Sequence, residues 1–171
     1  MLETERLVIR PLTHEQLIKY AKCDGSLESE LQLAPSSRTI SPELREALEE
    51  TIIPNVANPN NNYLYCTIWT AILKAEQMMV GDICIYGEPN PDGAIEIGYG
   101  TYAAFQGRGL MTEFVKGMID WAKQESMIRS IVASTLKTNI ASFRILEKNQ
   151  FIRTGETETL FYWKLDLHKT S

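Results

Sequence analysis

Gln106-Gly107-Arg108-Gly109-Leu110-Met111-Thr112 sets two glycines between a β-rich run and an amphipathic helix. No other stretch of the chain constrains the fold as strongly. The run before it is Ala94 to Tyr102. The helix after it carries Leu110, Phe114, Met118 and Trp121, with Val115, Ile119 and Ala122, on one face. Glycines leave backbone N–H groups uncovered by side chains and admit φ/ψ values other residues avoid. The first N–H groups of a helix have no internal partner, and the helix dipole adds partial positive charge. Strand, glycine turn and helix N-terminus therefore form an anion pocket suited to a pyrophosphate, with Arg108 as a further charged donor. Taken alone, the two glycines are better explained as a tight strand-to-helix turn. The loop lacks G-x-x-x-x-G-K-S/T, which excludes a P-loop. It is not G-x-G-x-x-G and no βαβ unit precedes it, which makes a Rossmann reading poor.

The rest of the chain supplies a sheet for this junction. Arg6 to Leu12 is β-rich, and Pro11 marks its end. Thr13-x-x-Gln16 forms a capping box ahead of Leu17, Ile18 and Tyr20, the apolar side of a short helix. Residues 23–40 carry weak signals and read as a loop or helical fragment. Ser41-Pro42-Glu43 is a helix start, and Leu44, Leu48, Ile52 and Val56 make its stripe. Pro54 is expected to end or kink that helix near Ile53. Tyr63 to Leu73, Met78 to Tyr86 and Ala94 to Tyr102 are β-type runs, and Pro89-Asn90-Pro91-Asp92-Gly93 is a hairpin loop. They predict an antiparallel meander. Ser130 to Thr135 follows a crossover helix and should run parallel to its predecessor. Asn139 to Lys148 is a short helix, and Phe151 to Thr154 and Leu160 to Leu167 are two last strands around Gly155. The expected class is α+β: a mixed, mostly antiparallel central sheet of about seven strands flanked by about four helices. One domain over 1–171 is expected.

Composition narrows function by exclusion. The 171 residues are 44% hydrophobic and 23% charged, ordinary for a folded chain. The net charge of -5 disfavours nucleic acid and anionic membrane, both of which need clustered positive charge, and sits awkwardly with a highly anionic ligand. No apolar run approaches the roughly 18 residues of a membrane span, and Met1 to Arg6 lacks a signal-peptide core, so a cytoplasmic location is expected. Cys23, Cys66 and Cys84 are too widely spaced for a C-x-x-C site and read as buried or half-buried thiols. His14 and His168 lie near opposite ends, so no metal is expected.

With these residues in view, the chain resembles the GNAT superfamily of N-acetyltransferases, in particular its ribosomal-protein N-acetyltransferase (RimJ/RimL-like) branch. The family's acyl-CoA loop reads Gln or Arg, two residues, Gly, one residue, then Gly or Ala. Gln106 and Gly109 match, and Met111 stands at the final small position. The strand Ala94-Ile95-Glu96-Ile97-Gly98-Tyr99, the string Gly107 to Glu113 and the opening Glu5-Arg6-Leu7-x-Ile9-Arg10-Pro11 resemble the branch. A second block, Asn139-x-x-Ser142-x-Arg144-x-Leu146-Glu147-Lys148-x-x-Phe151, agrees. Three positions depart. Gln150 replaces a Gly, and Asn149 is expected to take the left-handed turn in its stead. Met111 is bulky. Leu146 stands where many members hold a Tyr general acid.

The resemblance implies direct acetyl transfer from acetyl-CoA to an amine acceptor, a protein N-terminus or a small molecule, with no metal. Gln106, Gly107, Arg108, Gly109, Leu110 and Met111 would bind pyrophosphate, mainly through N–H groups. Asn139 would bind the pantetheine arm; it also reads as a plain helix N-cap. Glu96 is the candidate base, acting through water, or else a strand carboxylate or a binder of the substrate ammonium. Ser142 is the candidate donor to the thiol, or a small residue that fills space near the cofactor. Tyr63, Tyr65, Trp69, Tyr86, Tyr99 and Tyr102 could line a substrate cleft, though core packing suits each singly. A homodimer is plausible on general grounds. The alternative is a non-catalytic acyl-CoA-binding module of the same fold, motivated by Leu146; a purely structural domain is the third reading.

Overall fold

In the computed structural model, which describes residues 1–167, β3 (Ile68–Leu73) is buried along its whole length on both faces. A strand so covered must lie mid-sheet with helices on either side. It pairs antiparallel with β2 (Leu7–Pro11) and β4 (Met78–Ile85), and β4 pairs antiparallel with β5 (Ala94–Thr101). The predicted meander is present. Past a helix, β6 (Ser130–Leu136) joins β5 in parallel, as a crossover demands. The last strands, β7 (Ile152–Glu156) and β8 (Leu160–Asp166), form a hairpin whose second strand pairs with β6. With β1 (Leu2–Glu3) at the far edge, the order is β1-β2-β3-β4-β5-β6-β8-β7. The eighth strand, β1, is two residues long and carries no periodic signal. His168 lies outside the described residues.

One face of the sheet is covered by α5 (Leu110–Gln124). Its Phe114, Val115, Met118 and Trp121 pack on Leu7, Ile9, Trp69 and Ile83. The Trp69 and Trp121 rings lie 5.0 Å apart. The other face is covered by α1 (His14–Lys22), α2 (Ser26–Glu30), α3 (Pro42–Ala47) and α4 (Ile53–Ala57) around Leu12, Leu17, Tyr20, Leu27 and Leu48. The capping box at Thr13 and Gln16 is formed, and Ser41 caps α3 with Pro42 behind it. The chain does not leave the helix near Ile53, where an end or a kink was expected; the α-helical ladder is interrupted instead. A π-helical turn over Leu48–Ile52 carries the chain from α3 into α4, with the Ile53 N–H reaching back to the Leu48 carbonyl. Widening the ladder by one residue absorbs the N–H that Pro54 lacks.

Two smaller expectations also fail. Asn149 is right of the left-handed region at φ -94°, and Gln150 itself takes it at φ 68°. Cys23 is exposed rather than buried, while Cys66 and Cys84 are half-buried; all three are free thiols.

Candidate active site

β5 and β6 pair only at Ala94, Ile95 and Glu96, against Ser130, Ile131 and Val132, and then part. The gap opens into a cavity of about 510 Å³ between the 106–112 loop and α6 (Ile140–Lys148). The loop is built as its residues dictate. Gly107 and Gly109 take φ 77° and 73°, values that favour glycine, and Gly109 is the N-cap of α5. The N–H groups of Leu110, Met111 and Thr112 are then the unpartnered first turn of the helix, and these residues line the cavity.

Met111 does not crowd this cavity. Its side chain is 4% exposed and runs into the core, where its Cε would lie 3.0 Å from a Cβ added at Gly81. Arg108 turns away: its guanidinium pairs with Glu76 at 3.2 Å, and its carbonyl accepts from Arg6 Nη1 at 2.9 Å. It does not line the cavity. The cations that do are Arg144 and Lys148, exposed on one face of α6 and without an ion pair among the described residues.

Asn139 caps α6, its Oδ1 accepting from the Ser142 N–H at 3.1 Å. The Ser142 hydroxyl donates to Tyr99 Oη at 3.3 Å, and Tyr99 Oη donates to the Ser142 carbonyl at 2.7 Å. Burial pushes the Tyr99 phenol up to about 12, with the Ser142 contact working the other way, so Tyr99 holds its proton at neutral pH. Leu146 is fully buried in the core and is turned to packing.

On the opposite face of β4 and β5 lies a second cavity, of about 540 Å³, roofed by α1 and the 37–39 segment. Asp82 stands in it. Its Oδ2 accepts from Tyr20 Oη at 2.6 Å and from Tyr102 Oη at 2.7 Å. Arg38 is 7% exposed, its Cζ 4.2 Å from the Tyr20 ring centroid. Its Nε pairs with Glu28 at 3.1 Å and its Nη1 donates to the Tyr20 carbonyl at 2.9 Å. Tyr86 and Tyr99 complete the aromatic lining. Tyr65 and Trp69 belong to the core, and Tyr63 is half-exposed outside both cavities.

Glu96 lines neither cavity. Its strand position shares the face of Gly98 and Gly100, but the side chain is exposed. Tyr86 folds over Gly98, where a Cβ would overlap its hydroxyl, and so stands between Glu96 and the deeper cavity. Glu96 thus lies on β5, on the face of Gly98 and Gly100, with the Tyr86 ring packed on Gly98 beside it.

Comparison with known proteins agrees with this geometry. Residues 6–152 match the model of the acetyltransferase (GNAT) domain family. The chain belongs to this family. It is 25% identical to the uncharacterized N-acetyltransferase YjdG of Bacillus subtilis over 95% of this chain and 96% of that one. Among solved structures, it is similar to the ribosomal-protein-S5-alanine acetyltransferase of Vibrio fischeri, with a TM-score of 0.70 at 18% identity, covering 96% and 94% of the two chains. It is similar too to the RimL ribosomal L7/L12 α-N-protein acetyltransferase in complex with coenzyme A, with a TM-score of 0.68 at 17% identity over 96% of each. The protein is thus an N-acetyltransferase, and GNAT enzymes take their acyl group from acetyl-CoA. The cleft fits such a polyanion: exposed turn N–H groups, a helix N-terminus and two exposed cations converge on it.

As a GNAT site, it also holds residues that motif reading missed. Arg144, Lys148 and Ile145 recur with Ala141 at helical spacing, a signal available in the sequence. Tyr102, named as a possible cleft residue, does line the second cavity; Tyr20, Arg38 and Asp82 left no such signal, because they meet it from three other segments. Among the described residues no helix is long and apolar enough to cross a membrane, and no cluster of metal-ligating side chains occurs.

Proposed function

We propose that the protein transfers the acetyl group of acetyl-CoA directly to a primary amine, on a protein N-terminus or a small molecule. One observation supports this most. The two cavities share Tyr99, Gly100, Thr101 and Gln106, so an anion-adapted cleft and a carboxylate-bearing one open onto the same gap in the sheet. Acetyl-CoA supplies an acyl group already activated as a thioester. Gln106, Gly107, Gly109, Leu110 and Met111 hold its pyrophosphate through main-chain N–H groups, with Arg108 at the loop's outer edge and Arg144 and Lys148 opposite. Asn139 serves both as cap and as a contact for the pantetheine arm. Ser142, with Tyr99 beside it, donates to the departing sulfur, in place of the Tyr absent at Leu146. The acceptor amine must become neutral before it attacks. Glu96, exposed on β5 outside both cavities, adds negative charge on the strand that leads to the loop.

Thermal shift and calorimetry with acetyl-CoA, followed by free-thiol release against peptides, polyamines and aminoglycosides, test the reading. A ligand at about 100 times its Kd adds roughly 2.7 kcal/mol. No stabilisation by acetyl-CoA would sink the cofactor assignment. Binding without thiol release for any acceptor would leave a non-catalytic acyl-CoA-binding module.

A further inference from the structure

Asp82 is the carboxylate the fold explains least. It sits in the middle of the sheet on β4, where an ionised group is costly unless something answers it. Tyr20 and Tyr102 both donate to Oδ2, and Oδ1 is a buried atom with no partner. Arg38 is the cation of the lining, but its charge is matched by Glu28, and among the described residues its Nη2, like Glu28 Oε2, is buried without a hydrogen-bond partner. Among the described residues the cavity lining therefore holds a carboxylate whose Oδ1 has no hydrogen-bond partner, a guanidinium whose Nη2 has none, and several tyrosines. A half-satisfied buried network of this kind is expensive, and a ligand that completes it recovers the cost.

Resting on the acetyltransferase reading above, we propose that Asp82 Oδ1 receives the acceptor's ammonium and takes its first proton, while Arg38 Nη2 holds a hydrogen-bond acceptor of the same molecule. The nitrogen loses two protons in all. The first passes to Asp82 and on to water. The freed lone pair forms the C–N bond to the acetyl carbon, and the C–S bond breaks with its electron pair on sulfur. The second proton reaches that sulfur by way of the Tyr99 and Ser142 hydroxyls. Asp82, one strand in from Glu96 and inside the cavity, is the base that Glu96 is too exposed to be.

The same pair of groups sets the substrate class. It suits a single ammonium with a carbonyl oxygen close by, as in a peptide N-terminus or an amino-acid amide. A polycation would bring a second positive charge against Arg38 and is disfavoured.

The groups facing Asp82 are Tyr20 from α1, Thr70 from β3, Cys84 on its own strand, Tyr102 after β5, and Arg38 with Glu28 behind it. Burial pushes the Asp82 carboxyl up, and the three hydroxyls and Arg38 pull it partly back. Burial and the Asp82 charge push the Cys84 thiol to about 12, so it stays neutral. Ammonium binding needs ionised Asp82 and should weaken on acidification before an ordinary aspartate would titrate.

Calorimetry with phenylalaninamide, benzylamine and spermidine tests this, with and without coenzyme A and below neutral pH where each probe is cationic. The expected order of affinity is phenylalaninamide, benzylamine, spermidine. Asp82→Asn should weaken the first two by about tenfold or more with coenzyme A affinity unchanged, and should lower kcat/KM about a hundredfold or more. Asp82→Glu should restore part of both, and stands in if the Asn variant does not fold. Failure of the wild type to bind any of the three amines would overturn the proposal, as would equal binding by Asp82→Asn. So would spermidine binding tightest, or the loss of turnover following Glu96→Gln instead. Failure to bind coenzyme A would overturn the acetyltransferase reading, a result separate from the amine titrations.

Discussion

The cleft between β5 and α6 and the cavity beneath α1 meet at Tyr99, yet they are made of different material. The first is chiefly main chain: seven consecutive residues turn with two positive φ angles, and the turn itself exposes the N–H groups. The second is all side chain, with Tyr20, Arg38, Asp82 and Tyr102 drawn from four segments. A site made of backbone tolerates changes of side chain, as Met111 and Arg108 illustrate by pointing elsewhere. A site made of buried side chains has no such latitude, since each removed partner leaves another unsatisfied. Under the proposed function, the first kind of construction holds the cofactor and the second chooses the acceptor.

The sharpest way to break this contrast is to damage each side alone. Asp82→Asn carries the largest expected effect, a loss of about a hundredfold or more in kcat/KM with acetyl-CoA affinity held within about twofold. Arg144→Glu with Lys148→Glu should do the reverse. Acetyl-CoA affinity should fall by about tenfold or more in calorimetry, and the deficit should shrink as salt is added, because both cations are exposed and screened. A fall in amine affinity of the same size would mean the two sites are not separable. Met111→Ala tests the backbone claim more finely. It should cost about 2 to 4 kcal/mol of stability by emptying the space over Gly81. At temperatures where the variant is folded, acetyl-CoA should bind it as it binds the wild type; weaker binding would place the side chain in the site.

The same division decides what could be read before any coordinates. The loop, the order of strands around it, the capping box at Thr13 and the cap at Asn139 are local, and local pattern carries them. Pro54 misled because a single residue's veto on helix was answered by a change of ladder rather than a stop. Gln150 took a left-handed φ that Asn149, one place earlier, was expected to take. Asp82 carries no local signal, because its surroundings form only when Tyr20, 62 positions away, closes on it. Glu96 is the complementary case. Its strand and face were legible, whereas the ring of Tyr86 covering Gly98 was not.

The smallest expected effect concerns a side-chain tie behind the glycine loop. Glu113, in the first turn of α5, accepts from the Thr4 hydroxyl at 2.6 Å, from the Arg6 N–H at 2.7 Å and from Arg6 Nε at 2.6 Å. Arg6 in turn donates to the carbonyl of Arg108, so the strap joining β1 to β2 is tied to the glycine loop through Glu113. Burial raises the Glu113 carboxyl, but the Thr4 and Arg6 bonds outweigh it and hold the group below the usual carboxylate range. A depressed value means that the stabilisation is whole above the unfolded carboxylate's range and is lost as pH falls through the folded one. Glu113→Gln should therefore cost about 1 kcal/mol near neutral pH, a figure kept low because Arg6 is 42% exposed. The gap between wild type and variant should close on acidification, read as Tm against pH. Acetyl-CoA affinity should follow the same course, weakening modestly in Glu113→Gln at neutral pH, because the tie sets the loop's position. A gap that widens in acid would mean that Glu113 is not what holds the strap to the loop.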